Sequence, residues 1–174
     1  MIDAEATFHG YHRGLLARLR AGLDEAEDLE DRGQEGASVM VARLTSLADD
    51  FVRYVEANEG WLYPSIAPLV RSQKQVMAPM MLDARAVADY AAVGEQTALE
   101  TLTATEEGRE TRRRAIERLA AQFEAVMRLH FEKLERIYLP LLADLSTEQR
   151  QTIVDGMAAD YETPPLWPEI ADRR

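Results

Sequence analysis

The sequence predicts an all-α protein: an up-down-up-down four-helix bundle with a short C-terminal fifth helix and an irregular tail. Three observations carry this. Four long segments repeat their apolar residues with a period near 3.6. The breaks between them are brief and polar, and short connections make neighbouring helices antiparallel. Nowhere do apolar and polar residues alternate as they would in a half-buried strand. At 174 residues, 47% hydrophobic and 29% charged, the chain suffices for one domain with a sizeable core. Ala, Leu, Glu and Arg dominate it, all good helix formers, and only 9 glycines interrupt them.

The first segment runs from Ala4 to Leu29, with Phe8, His12, Leu15, Leu19 and Leu23 on one stripe. Gly33 and Gly36 suit the end of one helix and a turn of the chain. The second runs from Ser38 to Tyr63, with Leu44, Leu47, Phe51, Tyr54, Asn58 and Leu62 inward. Pro64 has no N–H to donate, so a kink or stop is expected there. The third spans Pro79 to Leu102, and Ala84, Ala88, Ala91 and Ala92 give it an unusually small surface. The fourth spans Arg109 to Leu142, with Leu119, Phe123, Met127, His130, Leu134, Ile137 and Leu141 on its stripe and Pro140 near its end. Ser146 and Gln149 resemble a capping box opening the fifth helix, which runs to about Tyr161. The bundle is thus expected over residues 1–145. Residues 146–174 form a short helix and a Pro-rich tail, packed on the bundle or trailing from it.

A net charge of −11 argues against nucleic acid and anionic membranes, which are held by cationic patches. No signal-like start and no apolar run of transmembrane length are present, so a cytoplasmic protein is expected. Cysteine is absent, which leaves nitrogen and oxygen as metal ligands. The acidic run at residues 24–28 and the basic run Arg112–Arg114 read as solvated faces that pair with each other or with neighbours. Trp61 reads as a cover for the bundle; Trp167 does too, or supplies a homodimer contact.

The chain has three histidines. His12 and His130 lie on apolar stripes of different helices, and a buried imidazole without a partner costs free energy. Metal ligation is one way to offset that cost, and bundle cores commonly host it. His9 shares its face with Arg13 and Arg20, which marks it as more solvated.

The stretch Arg128–Pro140 resembles the last helix of the hemerythrin and HHE cation-binding family, where a His precedes a carboxylate, an apolar pair and a Pro. His12-Arg13-Gly14-Leu15-Leu16 is similar to the family's opening helix, Phe51–Pro64 to its second and Leu82–Val87 to its third. The resemblance covers the chain up to about Leu142. It implies two irons in the bundle core, held by histidines from all four helices and by two bridging carboxylates. Carried over by position, His12 and His130 stand as ligands. Tyr54 replaces a His, Asn58 a Glu, Ala84 a His and Leu134 a carboxylate, while Glu135 stands at the alternative spacing and Glu59 on a more outward face. A complete di-iron centre is therefore not expected.

Three functional readings follow. In the first, an altered iron cofactor, haem or mononuclear iron, binds through His12 and/or His130, with Glu135 as a further metal ligand. Tyr54, Asn58, Met80, Met81 and Ala84 would line its space, and a diatomic gas or peroxide would be bound, sensed or used oxidatively. In the second, the same cavity takes a small molecule without metal. In the third, the His/Tyr/Asn cluster is a buried hydrogen-bond network in a scaffold or interaction protein. No nucleophile–base pair or phosphate-binding glycine loop points to an enzyme, and oxidative chemistry enters only with iron or haem.

Overall fold

The computed structural model describes residues 3–31, 36–70, 73–101 and 106–162. The helices are α1 (Ala4–Asp31), α2 (Gly36–Gly60), α3 (Leu62–Ile66), α4 (Gln73–Thr101), α5 (Glu106–Lys133) and α6 (Thr147–Met157). No strand occurs among the described residues. The long helices α1, α2, α4 and α5 form the bundle: α2 packs on α1 and α4, and α5 on α4 and α1. Arg18 pairs with Asp50 and Glu25 with Arg43, so rising numbers on α1 meet falling numbers on α2. The all-α bundle read from the periodicity is what the chain forms.

The inner stripes are those the spacing predicts over most of their length. Phe8, His12, Leu15 and Leu19 are buried on α1, Leu44, Leu47, Phe51, Tyr54 and Asn58 on α2, and Phe123, Met127 and His130 on α5. Each large apolar side chain so buried contributes roughly 1.5–3 kcal/mol. On α4, Ala84 and Ala91 face the core, whereas Ala88 and Ala92 are exposed. Small inward residues let helices approach closely, so Ala84 serves packing; neither of the two surface clefts described involves it.

Two boundaries differ from the sequence reading. The third long helix begins at Gln73, with Pro79 inside it. Pro79 is exposed and has no N–H to give to the helical ladder. The second long helix stops at Gly60 and resumes as the short α3, followed by a 3₁₀ turn over Ala67–Val70. Pro64 lacks the N–H that would have bonded the Gly60 carbonyl, which explains the elbow.

The fourth stripe changes face near its end. Beyond Lys133 the chain widens into a π turn over Leu134–Tyr138, where the Leu139 N–H bonds the Leu134 carbonyl, then tightens into a 3₁₀ turn over Leu139–Asp144. Pro140 cannot supply the N–H that a continuing α-helix needs. The wider turn carries Ile137 outward, to 54% exposure, and buries Tyr138 in its place. The same turn decides where Glu135 points.

Ser146 and Gln149 do form a capping box, and α6 buries Ile153, Val154 and Met157 against the bundle. Gly156 is required where it stands: a Cβ there would lie 2.1 Å from the Trp61 ring. Trp61 Nε1–H also donates to Asp160 at 2.6 Å. This latch places Tyr161, in the π turn Ala158–Glu162, edge-on to Tyr11 and Tyr54 at 5.1 and 5.4 Å between ring centres. Trp61 thus covers the bundle as expected, while Trp167 lies outside the described residues. Pairing with neighbours, one of the two expectations for the charged runs, is seen: Glu25 bonds Arg43, and Arg113 and Arg114 bond Glu110 on their own helix.

Candidate metal centre

His12 reaches the bundle interior from the third turn of α1 and is 2% exposed. Both ring nitrogens are engaged. Nδ1 is 2.6 Å from Glu135 Oε1, and Nε2 is 2.7 Å from the Tyr54 hydroxyl. The ring stacks on Phe131 with centres 4.3 Å apart and planes within 16°. Burial outweighs the nearby carboxylate and pushes the imidazole down to about 4, so His12 is neutral near pH 7. An ionised carboxylate only accepts, so Nδ1 carries the proton and Nε2 accepts from Tyr54.

Glu135 sits at the mouth between α1 and the π turn, with its side chain 34% exposed. Burial works to raise its carboxyl, but the hydrogen bonds and charges of His12 and His9 prevail and hold it below the ordinary range. His9 joins it from the same face of α1, with Nδ1 3.0 Å from the same Oε1. His9 is the more solvated of the two histidines, as its neighbours Arg13 and Arg20 suggested, and nothing in the sequence signalled its pairing with Glu135. Its side chain is 35% exposed, yet the three-residue step to His12 brings both imidazoles to one carboxylate. His9, His12 and Glu135 each offer a ligand atom, all within 4.8 Å of one another, and they form a group able to hold a metal ion.

Tyr54 and Asn58 close the inner side. Tyr54 is wholly buried, and burial, reinforced by Tyr63, raises its phenol well above the usual value. Asn58 donates from Nδ2 to the Tyr54 carbonyl at 2.7 Å, while its Oδ1 is buried with no partner.

His130 belongs to a different set. Its Nδ1–H donates to Asp83 Oδ2 at 3.2 Å, and Lys133 Nζ bonds both Asp83 oxygens at 2.8 and 2.9 Å. Burial opposes ionisation of Asp83, but His130 and Lys133 overcome it and lower its carboxyl. Burial likewise lowers His130 despite Asp83, and its Nε2 is fully buried with no partner. His12 and His130 therefore both point inward, as the stripes require, without converging on one carboxylate. Tyr54 lies beside both, 5.6 Å from the first ring and 6.4 Å from the second. Of the residues singled out in the sequence, the structure brings His12, Tyr54, Asn58 and Glu135 together. Met81 is half-buried against the core and Ala84 is buried on α4.

The three donors fit a divalent metal. Two imidazoles and a carboxylate suit iron, and ligand atoms around one ion at ~2.1 Å stand about 3 Å apart. The two His–Glu135 separations are close to that spacing. Comparison with known proteins agrees. The sequence model of the hemerythrin HHE cation-binding domain matches residues 1–142, and thus all four bundle helices but not α6. No curated protein and no solved structure matches the chain. The match over most of its length, with a donor group in a four-helix bundle, means that the chain belongs to the hemerythrin HHE cation-binding family.

Proposed function

We propose that the chain binds one redox-active divalent metal ion, iron, through His9, His12 and Glu135 at the α1–π-turn edge of the bundle. One observation carries this: three ligand atoms of the right chemistry gather there within 4.8 Å of one another. When bound, such an ion supplies open positions at which a diatomic gas or peroxide can bind or be reduced.

The surrounding residues fix the ligands. Phe131 holds the plane of His12 and Tyr54 its inner nitrogen, so only Nδ1 faces the mouth. A mononuclear ion is favoured over haem because His12 has one face on Phe131 and its Nε2 against Tyr54, which leaves no slot for a macrocycle. A second reading places the cofactor at His130. What favours it is the bare, buried Nε2 backed by Asp83, since ligating histidines commonly donate their other nitrogen to a carboxylate.

Anaerobic calorimetric titration with ferrous iron, followed by metal analysis, tests the proposal. One ion per chain is expected, with affinity reduced at least ~10-fold in His9→Ala and in Glu135→Gln, and little changed in His130→Ala. Binding lost only in His130→Ala supports the second reading. Two tightly held irons, or none, defeats the proposal, and none would leave the metal-free network as the better account.

A further inference from the structure

We infer that Tyr161, which lies beyond the residues matched to the family domain, is a positioning residue of the cation site: its ring walls Tyr54 against His12 and so holds the inner hydrogen bond that aims the ligand. The role rests on the cation reading and extends the site to a segment that the domain match leaves out.

The hydrogen bond at stake joins two helices. His12 stands on α1 and Tyr54 on α2, and the hydroxyl meets Nε2 at 2.7 Å. A phenol both donates and accepts, so Tyr54 can face that nitrogen whichever ring nitrogen of His12 bears the proton. Such a bond weakens steeply once its angle falls, so the Tyr54 ring must be held from the side. Among the described rings around it, Tyr161 stands nearest, at 5.4 Å between centres, against 5.6 Å for His12 and 6.1 Å for Tyr11 and Phe131. Tyr161 also meets Tyr11, the residue before His12, at 5.1 Å. Both contacts are edge-on, at 71° and 83°, a geometry that aromatic rings favour. One ring thus touches α1 and α2 at the level where the His12–Tyr54 bond joins them.

The latch described above is what brings Tyr161 there. Gly156 leaves room for the Trp61 ring, and the indole N–H of Trp61 reaches Asp160, the residue before Tyr161, at 2.6 Å. Met157, four residues before Tyr161, is fully buried and anchors the end of α6. Tyr161 itself is half-buried against the core. Truncating it opens space beside Tyr54 into which that ring can lean, and leaning lengthens or bends the bond to Nε2.

Long-range ¹H–¹⁵N correlation on the full chain, without metal and near neutral pH, reads the His12 Nε2 signal directly. Zinc titration by calorimetry then reads the site, since zinc takes the same donors. Tyr161→Ala should move the Nε2 signal downfield, as when an accepted hydrogen bond is lost, and weaken zinc binding roughly 10-fold. Tyr161→Phe keeps the wall and should leave both near native. Asp160→Ala keeps every ring and frees only the latch, so it should move the signal the same way by less, and it carries the test if Tyr161→Ala does not fold. Ile116→Val trims the core at the other end of the bundle and should lower Tm without moving the signal. An unmoved signal in the alanine variants would overturn the inference. So would unchanged zinc affinity in Tyr161→Ala, a full loss in Tyr161→Phe, or an equal shift in Ile116→Val. If the native chain takes up no zinc at His9, His12 and Glu135, the cation reading falls. The Nε2 signal is recorded without metal, so it still decides separately whether Tyr161 holds His12.

Discussion

At His12, burial and metal chemistry make the same demand. A neutral imidazole is the form a buried core tolerates and also the form that ligates. The pH dependence follows. Its folded value of about 4 lies below the ordinary value of 6.5, so between these limits the unfolded chain binds more protons than the folded one. Stability contributed by His12 is therefore fully present above about pH 6.5 and is lost as pH falls towards 4, by about 3 kcal/mol in all. Glu135 and Asp83, with lowered carboxyls, add loss of the same sign further into acid. Urea unfolding from pH 8 to 4 should show this decline. In His12→Gln it should be distinctly shallower above pH 5, and an unchanged slope would remove His12 as its source.

At the scale of elements, the π turn and the α6 latch decide what the residues can do. The π turn places Glu135 at the mouth and Tyr138 in the core, leaving Ile137 in solvent. Deleting Ile137 should close the wide turn over Leu134–Tyr138 to α-helical spacing, which re-aims Glu135 within that turn as well as swinging the residues after it by about 100°. We expect the deletion to fold as a bundle by circular dichroism while losing ferrous-iron binding measured by calorimetry. Retained binding would show that the turn is not what aims Glu135.

The latch gives a separate prediction. A Cβ at Gly156 would meet the Trp61 ring at 2.1 Å, so Gly156→Val must displace the ring or α6. A cost of about 1–3 kcal/mol is expected. In a Trp167→Phe background, emission from Trp61 should shift to the red, and Tyr161 should withdraw from Tyr11 and Tyr54.

For the whole molecule, binding to the folded state alone raises stability by mass action. Iron at 100 times its dissociation constant should add about 2.7 kcal/mol. Calorimetric melting in ferrous iron under anaerobic conditions should record a rise in Tm that His9→Ala largely removes. No described helix is long and apolar enough to cross a membrane. The large negative charge favours cations over anionic partners in the surrounding field. Of the residues in the candidate site, His12, Tyr54, Asn58 and Glu135 stood out by position in the sequence, as did His130, which the structure places with Asp83 instead. His9 did not, because its helical neighbours Arg13 and Arg20 signalled solvent and only the approach of Glu135 from another segment gives it a role.

By itself the sequence determined the four amphipathic helices, their breaks near Pro64 and Pro140, and the inward faces carrying His12 and His130. These follow from periodicity and from missing N–H groups, which act within a turn or two of the residue concerned. Only the tertiary structure decided that His12 shares a carboxylate with His9, that His130 answers to Asp83, and that Tyr161 closes over Tyr54. Such pairings depend on the rotation and register of whole helices. A widening by one residue, as at Leu134–Tyr138, changes the face presented without altering the apolar pattern from which the helix was read.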